Sequence, residues 1–91
     1  MALSEKHLHK IQSEFSVEEV STVKTELARL NTTHTWNSEY NLNNAIGAIL
    51  DLSAGDVNEV SKLIDAAQKD FRDVIYWWRL EQAKKIEGKQ K

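Results

Sequence analysis

The sequence predicts an all-α protein, a compact bundle of four to five short helices with the C-terminal helix central. Three observations lead there. Proline is absent and glycine occurs only three times in 91 residues, so little interrupts regular backbone. No stretch alternates apolar and polar residues beyond a few positions, as a half-buried strand would. Apolar side chains recur instead at i, i+3, i+4 and i+7, the spacing of one helix face. A chain of this length makes one domain, 1–91, with fraying expected at 1–3 and 88–91.

The elements follow in order. Ser4 caps a first helix that runs to about Glu14, with Leu8, Ile11 and Phe15 on its inner face. "FSVEEV" supplies the best-specified boundary. Ser16 is the N-cap, Glu19 closes a capping box, and Phe15 and Val20 have hydrophobic-staple spacing. The second helix extends from Val17 to about Leu30 on a stripe of Val20, Val23, Leu27 and Leu30. "NTTHTWNS", residues 31–38, is polar and β-branched and reads as a loop. Ser38 or Asn41 caps the third helix, which ends near Ser53 and buries Leu42, Ala45, Ile46, Ile49 and Leu52. Gly47 lies off that face, where a neighbouring backbone could come close.

"SAGDVNEV" is the second strong punctuation. Gly55 suits a left-handed helix end, Asp56 caps the next helix, and Glu59 completes a box-like pattern. Such a short connection makes an antiparallel hairpin. The fourth helix, Val57 to about Gln68, buries Val57, Val60, Leu63, Ile64 and Ala67. Asp70 then caps a fifth helix from Phe71 to about Glu87, with Gly88 just beyond its end. A break at Lys69–Asp70 is preferred to one continuous helix.

Two segments resemble known families. "AILDLSAGDVNEVSKLIDAAQKD" resembles part of an ankyrin repeat, in which a Gly-Asp turn joins two short helices. The repeat's Thr-Pro-Leu-His signature is absent and no period of about 33 residues recurs, so the likeness is that of a shared helical hairpin. Residues 41–78, with "NLNNAIGAILDL", "GD" and "DFRD" in that order, resemble small bacterial all-helical proteins of unknown function. That resemblance implies a compact helical domain and brings no activity.

Composition narrows the function. Without cysteine there is no disulfide scaffold, thiol nucleophile or thiolate metal site. "MALSEKHLHK" lacks the apolar run of a signal peptide, and "AIGAIL" is far short of the ~20 residues that span a bilayer. A cytoplasmic protein is expected. The formal net charge of −2 argues against bulk nucleic-acid binding. Charge is unevenly spread, however. Residues 1–70 carry six Lys/Arg against eleven Asp/Glu, and residues 71–91 carry six against three.

Little points to catalysis. His7 and His9 lie about 200° apart on a helix and cannot share one ion; both are expected in solvent. His34, beside Trp36, has no nearby acidic partner in sequence. No phosphate-binding glycine loop, nucleophile elbow or HExxH motif is present. No enzyme activity, cofactor or metal is expected. The cluster Asn37, Asn41, Asn43 and Asn44 exceeds what capping needs, and hydrogen bonds to the 31–38 loop or to a ligand would use the remainder.

"DFRDVIYWWRLEQ" carries the functional expectation. At about 100° per residue, Phe71, Val74, Ile75, Trp78 and Ile86 share an arc of about 120°, the core face. Tyr76, Leu80 and Ala83 fall nearly opposite, with Trp77 between. The leading reading is therefore a non-enzymatic protein–protein interaction or assembly module, homo-oligomeric or part of a larger complex. Its partner-binding residues are Tyr76, Trp77, Arg79, Leu80 and Lys84, with Lys85 adding charge. One alternative is a nucleic-acid-linked regulator contacting phosphates through Arg79, Lys84, Lys85, Lys89 and Lys91. Another is a ligand-binding protein or small enzyme built on the 31–44 region.

Overall fold

The computed structural model describes the backbone of residues 4–89 and the side chains of residues 4–85. Among these, four α-helices and one 3-10 turn account for the regular structure: α1 (Glu5–Glu14), α2 (Val17–Leu27), the turn (Thr32–His34), α3 (Glu39–Ser53) and α4 (Val57–Lys89). The protein is all-α, as its periodicity predicts, with no strand among the described residues. The expected fraying at 1–3 and at 90–91 lies outside them. Residues 88 and 89 are helical, so Gly88 does not end the last helix.

The caps explain where the helices begin. Ser4 accepts from the His7 amide at 3.3 Å. The Ser16–Glu19 box closes in both directions, at 3.3 and 3.1 Å. Ser38, rather than Asn41, caps α3 by accepting from the Asn41 amide at 3.1 Å. Asp56 accepts from the Asn58 amide at 2.9 Å, but the reciprocal box does not form. The Asp56 amide is used by the Ser53 carbonyl at 2.9 Å, and Glu59 pairs with Lys62 instead.

Helix α2 ends three residues before the expected Leu30. The amides of Arg29 and Leu30 bond only three residues back, to Glu26 and Leu27, which tightens the chain out of the α-helix. Asn31 is already extended there and caps the 3-10 turn. Leu30 is nevertheless fully buried. Its burial comes from the turn's position, not from a further helical turn.

α3 carries the most buried residues, and the C-terminal helix α4 packs against α3, α2 and the 3-10 turn. Leu42, Ala45, Ile46, Ala48, Ile49, Leu50 and Ser53 are all buried on α3. Leu52, expected in the core, is half-buried. A helix apolar over so wide an arc must be covered on several sides. α1 covers it with Ile11 and Phe15, and α2 contributes Val23 and Leu27 to the same core. α4 packs Val60, Ile64, Ala67, Phe71 and Val74.

α4 is two limbs, 57–69 and 71–89, joined through Asp70. That residue is extended, at φ −161° and ψ 103°. Its carboxylate accepts from the Arg72 amide at 3.0 Å and so caps the second limb. It also holds the Arg72 guanidinium at 2.9 and 2.8 Å. The break expected at Lys69–Asp70 is therefore present without any proline, set by one cap.

The α3–α4 turn uses two left-handed residues, Ala54 at φ 49° and Gly55 at φ 84°. A Cβ on Gly55 would lie 2.9 Å from the Glu14 carbonyl oxygen at the end of α1. Close backbone approach thus occurs at Gly55. At Gly47, where it was expected, the neighbour is the His7 side chain, 3.4 Å from a built Cβ.

These two glycines make opposite predictions. Gly55→Ala combines a left-handed φ with a hard backbone contact and should lower unfolding free energy by about 1–3 kcal/mol. Gly47→Ala sits in a helix interior with an ordinary contact and should raise it by about 0.5–1 kcal/mol. Urea denaturation of both variants checks the pair.

Candidate functional site

The second limb of α4 separates the residues that the sequence groups together. Tyr76 is 60% exposed, Trp77 41% and Leu80 44%. They form an open outer face that no other helix among the described residues covers. Arg79 turns instead toward a groove on the limb's flank. Lys84 lies exposed, 3.7 Å from Glu81. Among 79–85, only Gln82 is even half-buried, although Arg79, Glu81, Gln82 and Lys85 still line grooves beside α3.

The basic residues do not form one row. Arg72 is bound by Asp70 and Lys84 by Glu81. Lys85 lines a smaller groove of about 350 Å³ beside Asp51 and Trp78. The Lys89 side chain and Lys91 lie outside the described residues, as does the side chain of Ile86, expected in the core.

The larger groove encloses about 520 Å³. α1 supplies Lys6, His7 and Lys10. α3 supplies Asn43, Asn44, Gly47 and Asp51, one turn apart along the same side. The second limb supplies Ile75, Trp78 and Arg79.

Asp51 organises this groove. One carboxylate oxygen accepts from the Trp78 indole N–H at 2.6 Å. The other meets the Lys10 ammonium at 2.8 Å, and Lys10 also pairs with Glu14 at 2.6 Å. Burial pushes the Asp51 carboxyl up, but the Lys10 and Trp78 hydrogen bonds outweigh it and hold the group below the usual carboxylate range. Lys10 is correspondingly raised by its bonds to Asp51 and Glu14. Trp78 is therefore more than a core residue. Half-buried, it forms the wall between the two grooves and ties the second limb to α3.

His7 is only 7% exposed, which corrects the expectation that it is solvated. It shares the Ile11 face at i, i+4 spacing. Its ring sits against Gly47, where the missing side chain leaves room. Nδ1 is buried without a hydrogen-bond partner. Burial first, and then the Lys6 charge, holds the ring below the ordinary histidine value, against a smaller raising influence of Asp51.

The 31–44 region splits between two roles. His34 is structural: its Nδ1 accepts from the Asn31 amide at 3.2 Å. Thr35 is buried and donates within the loop. Asn41 donates to the Thr35 carbonyl at 3.4 Å, the loop bond anticipated for the Asn cluster. Trp36 and Asn37 are left-handed, at φ 59° and 57°. Asparagine tolerates that conformation, but a bulky residue does so rarely. Trp36 is held by an edge-to-face contact with Phe71 at 5.1 Å and by Arg72 over its ring at 5.1 Å. Tyr40, Asn43 and Asn44 face the groove instead.

The grouping of His7, Lys10 and Asp51 was missed in the sequence. One signal was available: Asp51 interrupts an apolar run in "AIGAILDL", and a charge so placed needs a partner. No group of three or more metal-binding side chains occurs among the described residues, and none of their helices is long and apolar enough to cross a membrane. No protein-family model matches the chain, and no curated protein or solved structure matches it either.

Acid titration should separate His7 from Asp51. The folded ring resists a proton that the unfolded chain accepts from about pH 6.5 downward. Stability therefore rises with pH across that window and falls as pH drops below about 6.5. The contribution of Asp51 is present above its unfolded value and is lost only at lower pH, as its depressed pKa is passed. His7→Leu should flatten the first decline and leave the second. Urea midpoints measured against pH give the comparison, and an unchanged slope in His7→Leu would refute the assignment.

Proposed function

We propose that this chain is a small non-enzymatic assembly module that self-associates through the outer face of the second α4 limb. The observation that carries this reading is the exposure of Tyr76, Trp77 and Leu80 within five residues of one helix. Interfaces concentrate Trp, Tyr and Arg at such places.

A second copy is the occupant that fits best. Tyr76, Leu80 and Ala83 stand at successive spacings of four and three, the seam of a two-helix coil. The flanks carry both signs, with Glu81 beside Arg79, Lys84 and Lys85, as a self-complementary surface requires. The limb is also mostly exposed beyond Trp78, and helices with little packing are marginal in water. Pairing with a like helix would bury the stripe and steady the limb. Tyr76 and Leu80 provide the packing, Trp77 the rim, and Lys84 the electrostatic orientation.

An interface this small implies a weak complex, with dissociation in the micromolar range. Sedimentation equilibrium across micromolar to millimolar protein should show mass rising from 10.4 kDa toward twice that value. Leu80→Glu should hold the chain at the monomer mass without loss of helix content. A constant 10.4 kDa at every concentration would sink the self-association reading.

A further inference from the structure

The large groove carries a separate reading, independent of self-association. It presents three cations, Lys6, Lys10 and Arg79, against the single carboxylate of Asp51. That carboxylate is already satisfied by Lys10 and Trp78. Lys6 and Arg79 have no anionic partner among the described residues, and they stand on different walls, α1 and α4. The chain as a whole is acidic, at −2, so composition alone does not account for unpaired cations here.

The rest of the lining is mixed in a way that suits a small molecule. Asn43 and Asn44 offer amide donors not engaged elsewhere among the described residues. Gly47 keeps the α3 wall open beside the His7 ring. Ile75 and the Trp78 ring supply apolar surface. The volume of about 520 Å³ falls in the range of small-molecule sites.

We propose that this groove binds a small anion carrying an apolar body, namely a carboxylate or phosphate monoester with an aromatic or aliphatic group. Arg79 grips the anionic head with Lys6 beside it, Asn44 donates to it, and the body lies along Ile75 and Trp78. Asp51 positions Trp78 and Lys10 and does not touch the ligand.

The test uses the full-length chain with the Leu80→Glu change, so that any self-association does not enter. Phenyl phosphate, benzoate, benzyl alcohol and benzylamine are titrated while backbone amides and indole N–H signals are followed by NMR. Both anions should shift the Gly47 amide and the Trp78 indole N–H, and at least one should bind about tenfold more tightly than the neutral and cationic probes. A preference for phenyl phosphate assigns phosphate ligands and a preference for benzoate assigns carboxylates; either supports the site. Arg79→Ala and Asn44→Asp alter exposed side chains and should each weaken anion binding about tenfold. Equal response to all four probes, no response, or shifts that avoid Gly47 and the Trp78 indole would overturn the proposal.

Discussion

The structure depends on the burial of α3. Seven of its fifteen residues are buried, and Glu39, Asn41, Asn43, Asn44 and Asp51 carry its strongly polar groups. Such a helix cannot lie on a surface. It obliges α1 and α4 to pack against it, while α2 packs mainly on α4. The hydrophobic effect sets this arrangement without specifying orientation. Orientation comes from a few directed contacts. Gly55 abuts the end of α1. Gln68 donates to the Arg29 carbonyl at 2.8 Å, and Arg29 pairs with Asp65, tying the end of α2 to the first limb.

Polar groups at the α1–α3–α4 junction do a different task. Asp51 must sit beside the core because its helix is buried, and Lys10 and Trp78 are the donors that make this tolerable. Their convergence fixes the rotation of α1 and of the second limb about α3. The same convergence keeps the helices from closing fully, since Gly47 offers no side chain to fill the space beside His7. The groove is thus a by-product of satisfying one buried-edge carboxylate, and its excess of cations follows from which residues then face it.

Local signals made most of the fold legible in the sequence. Ser16 with Glu19, Gly55 with Asp56, and Asp70 each announce a boundary through a cap, and each boundary stands where the cap puts it. The end of α2 was misplaced because Leu30 fits the stripe equally well as a buried turn residue. Helix wheels count apolar residues but do not say how deeply each helix is buried, so the depth of α3 was not legible. The groove was illegible because it joins residues 7, 51 and 78, and only tertiary packing brings such distant positions together. That Tyr76 and Leu80 lie opposite the core face, with Trp77 between, was readable because they belong to one helix.

Asp70 has a consequence for shape. Without its extended backbone, the 33 residues of α4 would form a straight rod about 50 Å long. The whole molecule measures 40 Å along its longest axis. Straightening would carry Phe71 and Val74 away from α3 and leave the Trp36 ring with nothing to rest against. Proline is the usual means of preventing this, and the chain has none. A single carboxylate, accepting one amide and holding one guanidinium, therefore marks where the rod folds back onto the globule.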